Sequence, residues 1–386
     1  MSHYIDIAHA SLNKYDEELC GDSVQIIRKK DYVMAVMADG LGSGVKANIL
    51  STLTARIVSK MLDMGSELKD VVETVAETLP ICKERNIAYS TFTVVSICGN
   101  NAHLVEYDNP SVFYFKNGVH KKIDRKCVEI GDKKIFESSF KLDLNDALIV
   151  VSDGVIHAGV GGVLNLGWQW DNVKQYLSKV LEVYSDASDI CSQLITTCNN
   201  LYKNKPGDDT TAIVIKVNES KKVTVMVGPP VLKNMDEWVV KKLMKSEGLK
   251  VVCGGTAAKI VSRILNKDVI TSTEYVDPDI PPYAHIDGID LVTEGVLTLR
   301  KTVEIFKEYI ENSDSNLLRF SRKDAATRLF KILNYATDVN FLVGQAVNSA
   351  HQNPDFPSDL RIKVRIVEEL INLLKGLNKN VEVNYF

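Results

Sequence analysis

Between Met1 and Ala10, the residues Tyr4, Ile5 and Ile7 alternate with polar neighbours, the period of a half-buried strand. Val24 to Ile27 predicts a second strand and Tyr32 to Ala38 a third, almost wholly apolar one. The period then changes. From Val45 to Met64, Ile49, Leu50, Leu53, Ile57, Met61 and Leu62 recur at helical spacing, with Gly65 placed to end the helix. Leu68 to Leu79 predicts a second helix that Pro80 stops. Strands return over Thr91 to Cys98 and Ala102 to Tyr107. Val112 to Phe115 and Val119 to Ile123 flank Asn117-Gly118, a hairpin signature. Lys134 to Leu142 and Ala147 to Ser152 read as strands, Asn172 to Glu182 and Ala187 to Lys203 as helices, and Ala212 to Val217 as the last strand of the group. Strands in antiparallel order, with helices grouped in two places, predict an α+β unit in which helices flank a β-sandwich.

The rhythm differs after the polar stretch Asn218 to Lys222, where we place a domain boundary: 1–218 on one side, 222–386 on the other. Strands over Val223 to Val227, Lys250 to Cys253 and Ile289 to Thr293 alternate with helices from about Met235 to Glu247, from Ala257 to Leu265, and on to about Tyr309. This alternation predicts a parallel sheet in a smaller α/β domain. Asp277 to Pro282 is a proline-rich loop. Lys323 to Ala350 and Ile362 to Leu374 are expected to be helical, and Val381 to Tyr385 a closing strand.

Composition narrows the function classes. Of 386 residues, 45% are hydrophobic and 25% charged, and the net charge is -4, so no field draws the chain to nucleic acid or to a membrane. No apolar run reaches membrane-spanning length, and the N-terminus lacks a signal-peptide pattern. Seven cysteines without a CxxC pair read as reduced thiols, which points to the cytoplasm. Cys191 and Cys198 fall seven apart on one predicted helix.

Four acidic positions share a setting. Asp22 follows Gly21 before a strand. Asp39 ends an apolar strand and precedes Gly40. Asp153 does the same before Gly154. Asp208 and Asp209 precede Thr211 and another apolar strand. A single Asp-Gly is usually a turn, because Asp bonds its own backbone and Gly accepts positive φ, and Asp108 and Asp132 are read that way. Carboxylates at several strand ends can instead converge on one cleft and hold hard divalent cations. Two such ions can polarise a phosphoryl oxygen and activate water.

In order along the chain stand Gly21-Asp22, Ala38-Asp39-Gly40-Leu41-Gly42-Ser43-Gly44 with Ala47, Ser90-Thr91-Phe92-Thr93, Val151-Ser152-Asp153-Gly154, and Gly207-Asp208-Asp209-Thr210-Thr211. This set resembles the metal-dependent PPM-type (type 2C) serine/threonine protein phosphatases, in the bacterial branch of the sporulation stage II protein E phosphatase, over residues 1–218. The resemblance implies two packed antiparallel sheets flanked by helix pairs. It also implies two divalent ions, Mn²⁺ or Mg²⁺. Asp39 would bridge both, with the Gly40 carbonyl as a further ligand. Asp153 and Asp208 would complete the first ion's shell, Asp22 would act through water, and Asp209 would support. The catalytic set it implies is Asp39, Asp153 and Asp208. The implied reaction is attack of metal-bound hydroxide on phosphoserine or phosphothreonine of a regulatory protein, an anti-sigma-factor antagonist being the type that the relatives suggest. Alternatives are a catalytically weak sensor or scaffold of the same fold, and a hydrolase of small phosphorylated molecules.

Eukaryotic relatives carry His after the Asp-Gly; here Leu41 stands there, an absence shared by the bacterial branch. Arg28 is a weak candidate for the N-terminal phosphate-binding Arg of those relatives. The helix opened by Gly42-Ser43-Gly44 is a candidate to hold substrate at its N-terminus. With the helix after it, it is read either as core packing or as a switch.

In the second unit, strands end in Gly228-Pro229, Gly254-Gly255-Thr256 and Glu294-Gly295, and ligands of open α/β sheets bind beyond such ends. A small ligand there, or a homodimer contact, is the expectation. Gly254-Gly255-Thr256 is not a P-loop, since Lys259 is misplaced for one. His285 and Asp287 are expected near the same edge.

Overall fold

The computed structural model describes residues 3–29, 32–78, 81–82, 87–88, 90–131, 133–272, 280–311, 324–346 and 358–386. Leu79, Pro80 and Asp132 lie outside these, as do parts of the 277–282 loop and of the predicted 323–350 helix. The chain divides into two compact units, Met1–Glu219 and Ser220–Phe386. No helix among the described residues is long and apolar enough to cross a membrane.

In the first unit, β1 (His3–Leu12), β2 (Asp22–Lys29) and β3 (Tyr32–Gly40) precede the helices α1 (Gly44–Asp63) and α2 (Leu68–Thr78). A two-residue ladder of β4 (Ile81–Cys82) and β5 (Ile87–Ala88) leads to β6 (Ser90–Cys98), β7 (Asn101–Tyr107), β8 (Phe113–Lys116) and β9 (Val119–Lys121). Then come β10 (Lys126–Ile130), β11 (Lys133–Lys141) and β12 (Ala147–Val151). One helical turn, α3 (Asp153–Ile156), precedes α4 (Trp170–Val183), α5 (Ala187–Leu201) and β13 (Thr210–Glu219). Two antiparallel sheets result, in the orders β1-β13-β12-β8-β9 and β10-β11-β7-β6-β3-β2.

Alternation along each strand builds the layers. Val33, Ala35 and Met37 of β3 meet Leu148 and Val150 of β12 and Ile213 and Ile215 of β13 between the sheets. Met34, Val36 and Ala38 point the other way, against Leu50, Val58 and Val72 of α1 and α2. Ile149 and Val214 likewise face Leu177 of α4 and Ile190 of α5. The unit is therefore α+β, two antiparallel sheets between helix pairs. The β8–β9 hairpin turns on Asn117 and Gly118, with φ of 48° and 79°, as its two-residue loop demands.

The second unit holds β14 (Lys222–Val227), α6 (Asp236–Lys245), β15 (Leu249–Cys253), α7 (Gly255–Leu265), β16 (Ile270–Thr271), β17 (Ala284–Ile286) and β18 (Ile289–Thr293). It continues with α8 (Val296–Glu311), α9 (Ala325–Tyr335), β19 (Asp338–Val343), α10 (Ser358–Gly376) and β20 (Asn380–Tyr385). Its sheet runs β16-β17-β18-β15-β14-β19-β20. The last five are parallel, and β16 and β17 add an antiparallel edge.

One expectation fails here. The predicted helix 323–350 ends at Tyr335, and Asp338–Val343 is an interior strand. Val339, Phe341 and Val343 bury against one face of the sheet and Leu342 against the other. A strand covered on both faces is apolar throughout, so it lacks period-two alternation and merges with the amphipathic helix before it. The edge strands β10 and β16 and the three-residue β17 beside β16, short or polar, were likewise unmarked.

Candidate metal centre

The acidic residues meet at one end of the first unit's sandwich. Asp22 opens β2 and Asp39 nearly closes β3, and the antiparallel register sets them directly opposite each other. Asp39 continues the alternation of Ala35 and Met37, so its carboxylate lies on the face turned toward the other sheet. From that sheet, Ser152 follows β12 and Thr211 lies in β13. Their backbones bond at 2.9 Å, and the Thr211 amide donates to Ser152 Oγ at 2.8 Å. Both hydroxyls favour the charged form of Asp22.

Two glycines allow the close approach. A Cβ on Gly40 would stand 2.2 Å from the Ala47 carbonyl oxygen, so only glycine lets α1 fold back on the end of β3. A Cβ on Gly154 would stand 2.1 Å from the Asp209 carbonyl oxygen. That contact brings α3, which starts at Asp153, against the lead-in to β13. The Tyr202 hydroxyl fixes the turn by donating to the Gly154 carbonyl at 2.8 Å. Asp209 is tied down by its surroundings. Its amide donates to Asp208 Oδ1, and its Oδ1 accepts from the Lys14 amide, both at 3.0 Å.

Asp22, Asp39, Asp153 and Asp208 each feel burial and the charge of at least one other carboxylate of the set. Burial first, then the charges of Asp22, Asp153, Asp208 and Asp209, push the Asp39 carboxyl up to about 9. Burial is also the largest cause for Asp22, raised to about 7 against the pull of Thr211 and Ser152. Asp153 and Asp208 are raised too, chiefly by burial. Asp22 Oδ1 and Oδ2 and Asp209 Oδ2 are buried without a hydrogen bond of good geometry. Buried carboxylate oxygens without donors are costly. A set of hard oxygen donors carrying more negative charge than the fold neutralises fits divalent cations. Among the described residues, no three carboxylate, histidine or cysteine side chains already form a preassembled ligand set.

Thus Asp22, Asp39, Gly40, Asp153, Asp208 and Asp209 are brought together. Arg28 is not with them. It lies six residues along β2 from Asp22, about 20 Å away, where its guanidinium donates to the Ile5 carbonyl at 2.6 Å and covers Tyr4. Two basic side chains went unnoticed in the sequence. The charge of Lys14, in the turn after β1, bears on Asp208. That of His157, at the end of α3, bears on Asp153. Only the i, i+4 spacing of Asp153 and His157 could have signalled the second, once a helical turn was expected there. At the start of α1 the Ser43 hydroxyl donates to Glu17 at 3.0 Å rather than capping its own helix, and Asn48 holds the Cys20 carbonyl at 2.8 Å. The N-terminus of α1 thereby braces the Asp22 turn.

In the second unit, Gly254-Gly255-Thr256 does join the carboxyl end of β15 to α7. His285 and Asp287 belong to the opposite, amino edge, because β17 runs antiparallel to β18. There Asp287 is engaged by Lys267 at 2.5 Å.

Residues 29–218 match the family model of stage II sporulation protein E, SpoIIE. No curated protein matches the chain. One similar solved structure is the PP2C phosphatase domain with a fragment of the regulatory domain of the cell fate determinant SpoIIE from Bacillus subtilis. It is 21% identical, with 56% of this chain and 64% of that chain covered and a TM-score of 0.47. This chain thus spans less than two thirds of that one. The RsbU and RsbW domains of Rv1364c from Mycobacterium tuberculosis are 17% identical, over 68% and 71% of the two chains, at a TM-score of 0.45. RsbX in complex with magnesium is 16% identical, over 55% and 96%, at 0.41. The matched span begins at Lys29 and takes in Asp39, Asp153, Asp208 and Asp209, while Asp22 is joined to it by its pairing with Asp39. Residues 29–218, most of the first unit, match the SpoIIE family of PPM-type phosphatase domains.

Proposed function

We propose that residues 1–218 are a metal-dependent phosphatase domain that hydrolyses phosphoserine or phosphothreonine on a regulatory protein, and that 222–386 are its regulatory, ligand-sensing domain. The observation that carries the first part is the pairing of Asp22 with Asp39 under the charges of Asp153, Asp208 and Asp209. Asp39 is central to the set and would be shared by two cations, Mn²⁺ or Mg²⁺, with the Gly40 carbonyl beside it. Asp153 and Asp208 would hold one of the two, and Asp22 and Asp209 would support from behind. Bound there, the cations would supply polarisation of the phosphoryl oxygens and a lowered pKa for water. The chain's own part is to keep the carboxylates in place, with the basic side chains of Lys14 and His157 near enough to act on Asp208 and Asp153. The free, unpaired thiols of the described cysteines accord with work in the cytoplasm. A phosphorylated anti-sigma-factor antagonist is the substrate class we favour.

The test is hydrolysis of p-nitrophenyl phosphate and of a phosphopeptide with added Mn²⁺. Asp39→Ala and Asp153→Ala should each abolish it. Full activity in either variant refutes the assignment.

A further inference from the structure

Among the described residues, the second unit carries a half-buried lysine that no carboxylate pairs with. In the order β18-β15-β14-β19-β20 the sequence of parallel strands changes direction between β14 and β19. The former leads to α6 on one face of the sheet, and the latter to α10 on the other. A crevice at the carboxyl ends of such a strand pair is where open parallel sheets take ligands.

Lys363 of α10 reaches this point. Its ammonium donates to the Gly344 carbonyl at 2.5 Å, and it lies 2.8 Å from where a Cβ on Gly228 would stand. Gly228 follows β14 and Gly344 follows β19. These two ends touch, since a Cβ on Gly344 would stand 2.0 Å from the Pro229 carbonyl oxygen. Any side chain at Gly228 would fill the space that Lys363 enters. No carboxylate among the described residues pairs with Lys363, and burial alone lowers the proton affinity of its amine. One carbonyl uses one of its three N–H donors. Gly254 adjoins the same point, 3.7 Å from Gly228 Cα by its own missing Cβ, and there α7 begins without a side-chain cap. A cation kept partly from water calls for an anion.

We propose that Lys363, with the glycine ends of β14 and β19, forms an anion site that binds the phosphate of a small phosphorylated molecule such as a nucleotide. The site makes the second unit the sensing part of the chain. It stands on this unit's geometry and not on the reading of the first.

The full chain is titrated calorimetrically in EDTA with inorganic phosphate, ADP and ATP, and with citrate as a carboxylate control. Without divalent metal the five carboxylates of the first unit repel these anions. At least one phosphate compound should bind, and Lys363→Met should weaken it by about ten-fold or more, with an unchanged circular dichroism spectrum. Equal binding by parent and variant, no binding of any phosphate compound, or binding of citrate alone overturns the proposal. A second readout needs no variant. Lysine-directed acylation of the parent chain, read by peptide mapping, should modify Lys363 in the free protein and spare it when the bound phosphate compound is present. Unchanged labelling overturns the proposal, including the case where Lys363 serves only to tie off the Gly344 carbonyl.

Discussion

Asp22 and Asp39 are cross-strand partners on β2 and β3, two carboxylates set on one face at the end of the ladder. Burial and the neighbouring carboxylates keep Asp39 protonated up to about 9 without metal, and holding that proton where the unfolded chain has released it costs stability. Asp39→Asn removes that cost and keeps the shape. The variant should melt higher than the parent in EDTA and lose the thermal shift that Mn²⁺ gives the parent. Equal melting of the two in EDTA would show that the pair carries no strain.

The same carboxyls set a pH dependence whose sign can be worked out. Asp39, ordinarily near 3.8, is raised to about 9 in the folded chain, and Asp22 to about 7. Over that range the folded state holds protons that the unfolded state has released, so stability falls as pH rises. The contribution of Asp22 ends near its folded value of about 7, and that of Asp39 near about 9. Metal-free protein should therefore melt lower at pH 8 than at pH 6. Asp39→Asn should flatten the slope, and Mn²⁺ should do so in the parent by holding the carboxylates charged.

Gly154→Ala places a methyl group within 2.1 Å of the Asp209 carbonyl oxygen. Overpacking of this kind costs about 1–3 kcal/mol, to be read from urea unfolding. Because the displaced segment holds Asp208 and Asp209, phosphatase activity should drop further than the stability loss accounts for.

Lys14→Ala removes the cation that bears on Asp208 while leaving the backbone bond to Asp209. KM for a phosphopeptide should rise by about ten-fold, the worth of one charge-assisted hydrogen bond, with kcat less affected. Lys14→Arg should restore most of it.

How much of this was legible in the sequence differs by element. The alternating strands β1, β3 and β12 and the amphipathic α1 were legible because one face meets a core and the other does not. Asp39 and Asp153 were legible because each ends an apolar strand before glycine. The strand β19 was not, since burial on both faces erases the pattern. Nor were Lys14, which a turn places beside the distant Asp208, and His157, which an unexpected helical turn places beside Asp153 four residues before it. The position of Lys363 depends on strand order, and strand order is not a local property of the chain. Arg28 shows the converse: right in type and close in sequence to Asp22, it is carried to the far end of β2 by six residues of extended chain.

The pairing of β1 with β13 bears on how the protein is made. Among the described residues, the first strand of the sandwich, residues 3–12, has residues 210–219 as its one sheet neighbour. During synthesis it must wait for some two hundred residues to emerge, a separation that slows folding. The acidic cluster is drawn from the whole length of the unit, Asp22 and Asp39 early, Asp153 later and Asp208 and Asp209 last, so it is incomplete until the lead-in to β13 arrives. A ribosome-bound chain stalled before β13 should therefore bind no Mn²⁺ at this place, and the proposed metal site would be completed by the last strand of its own domain.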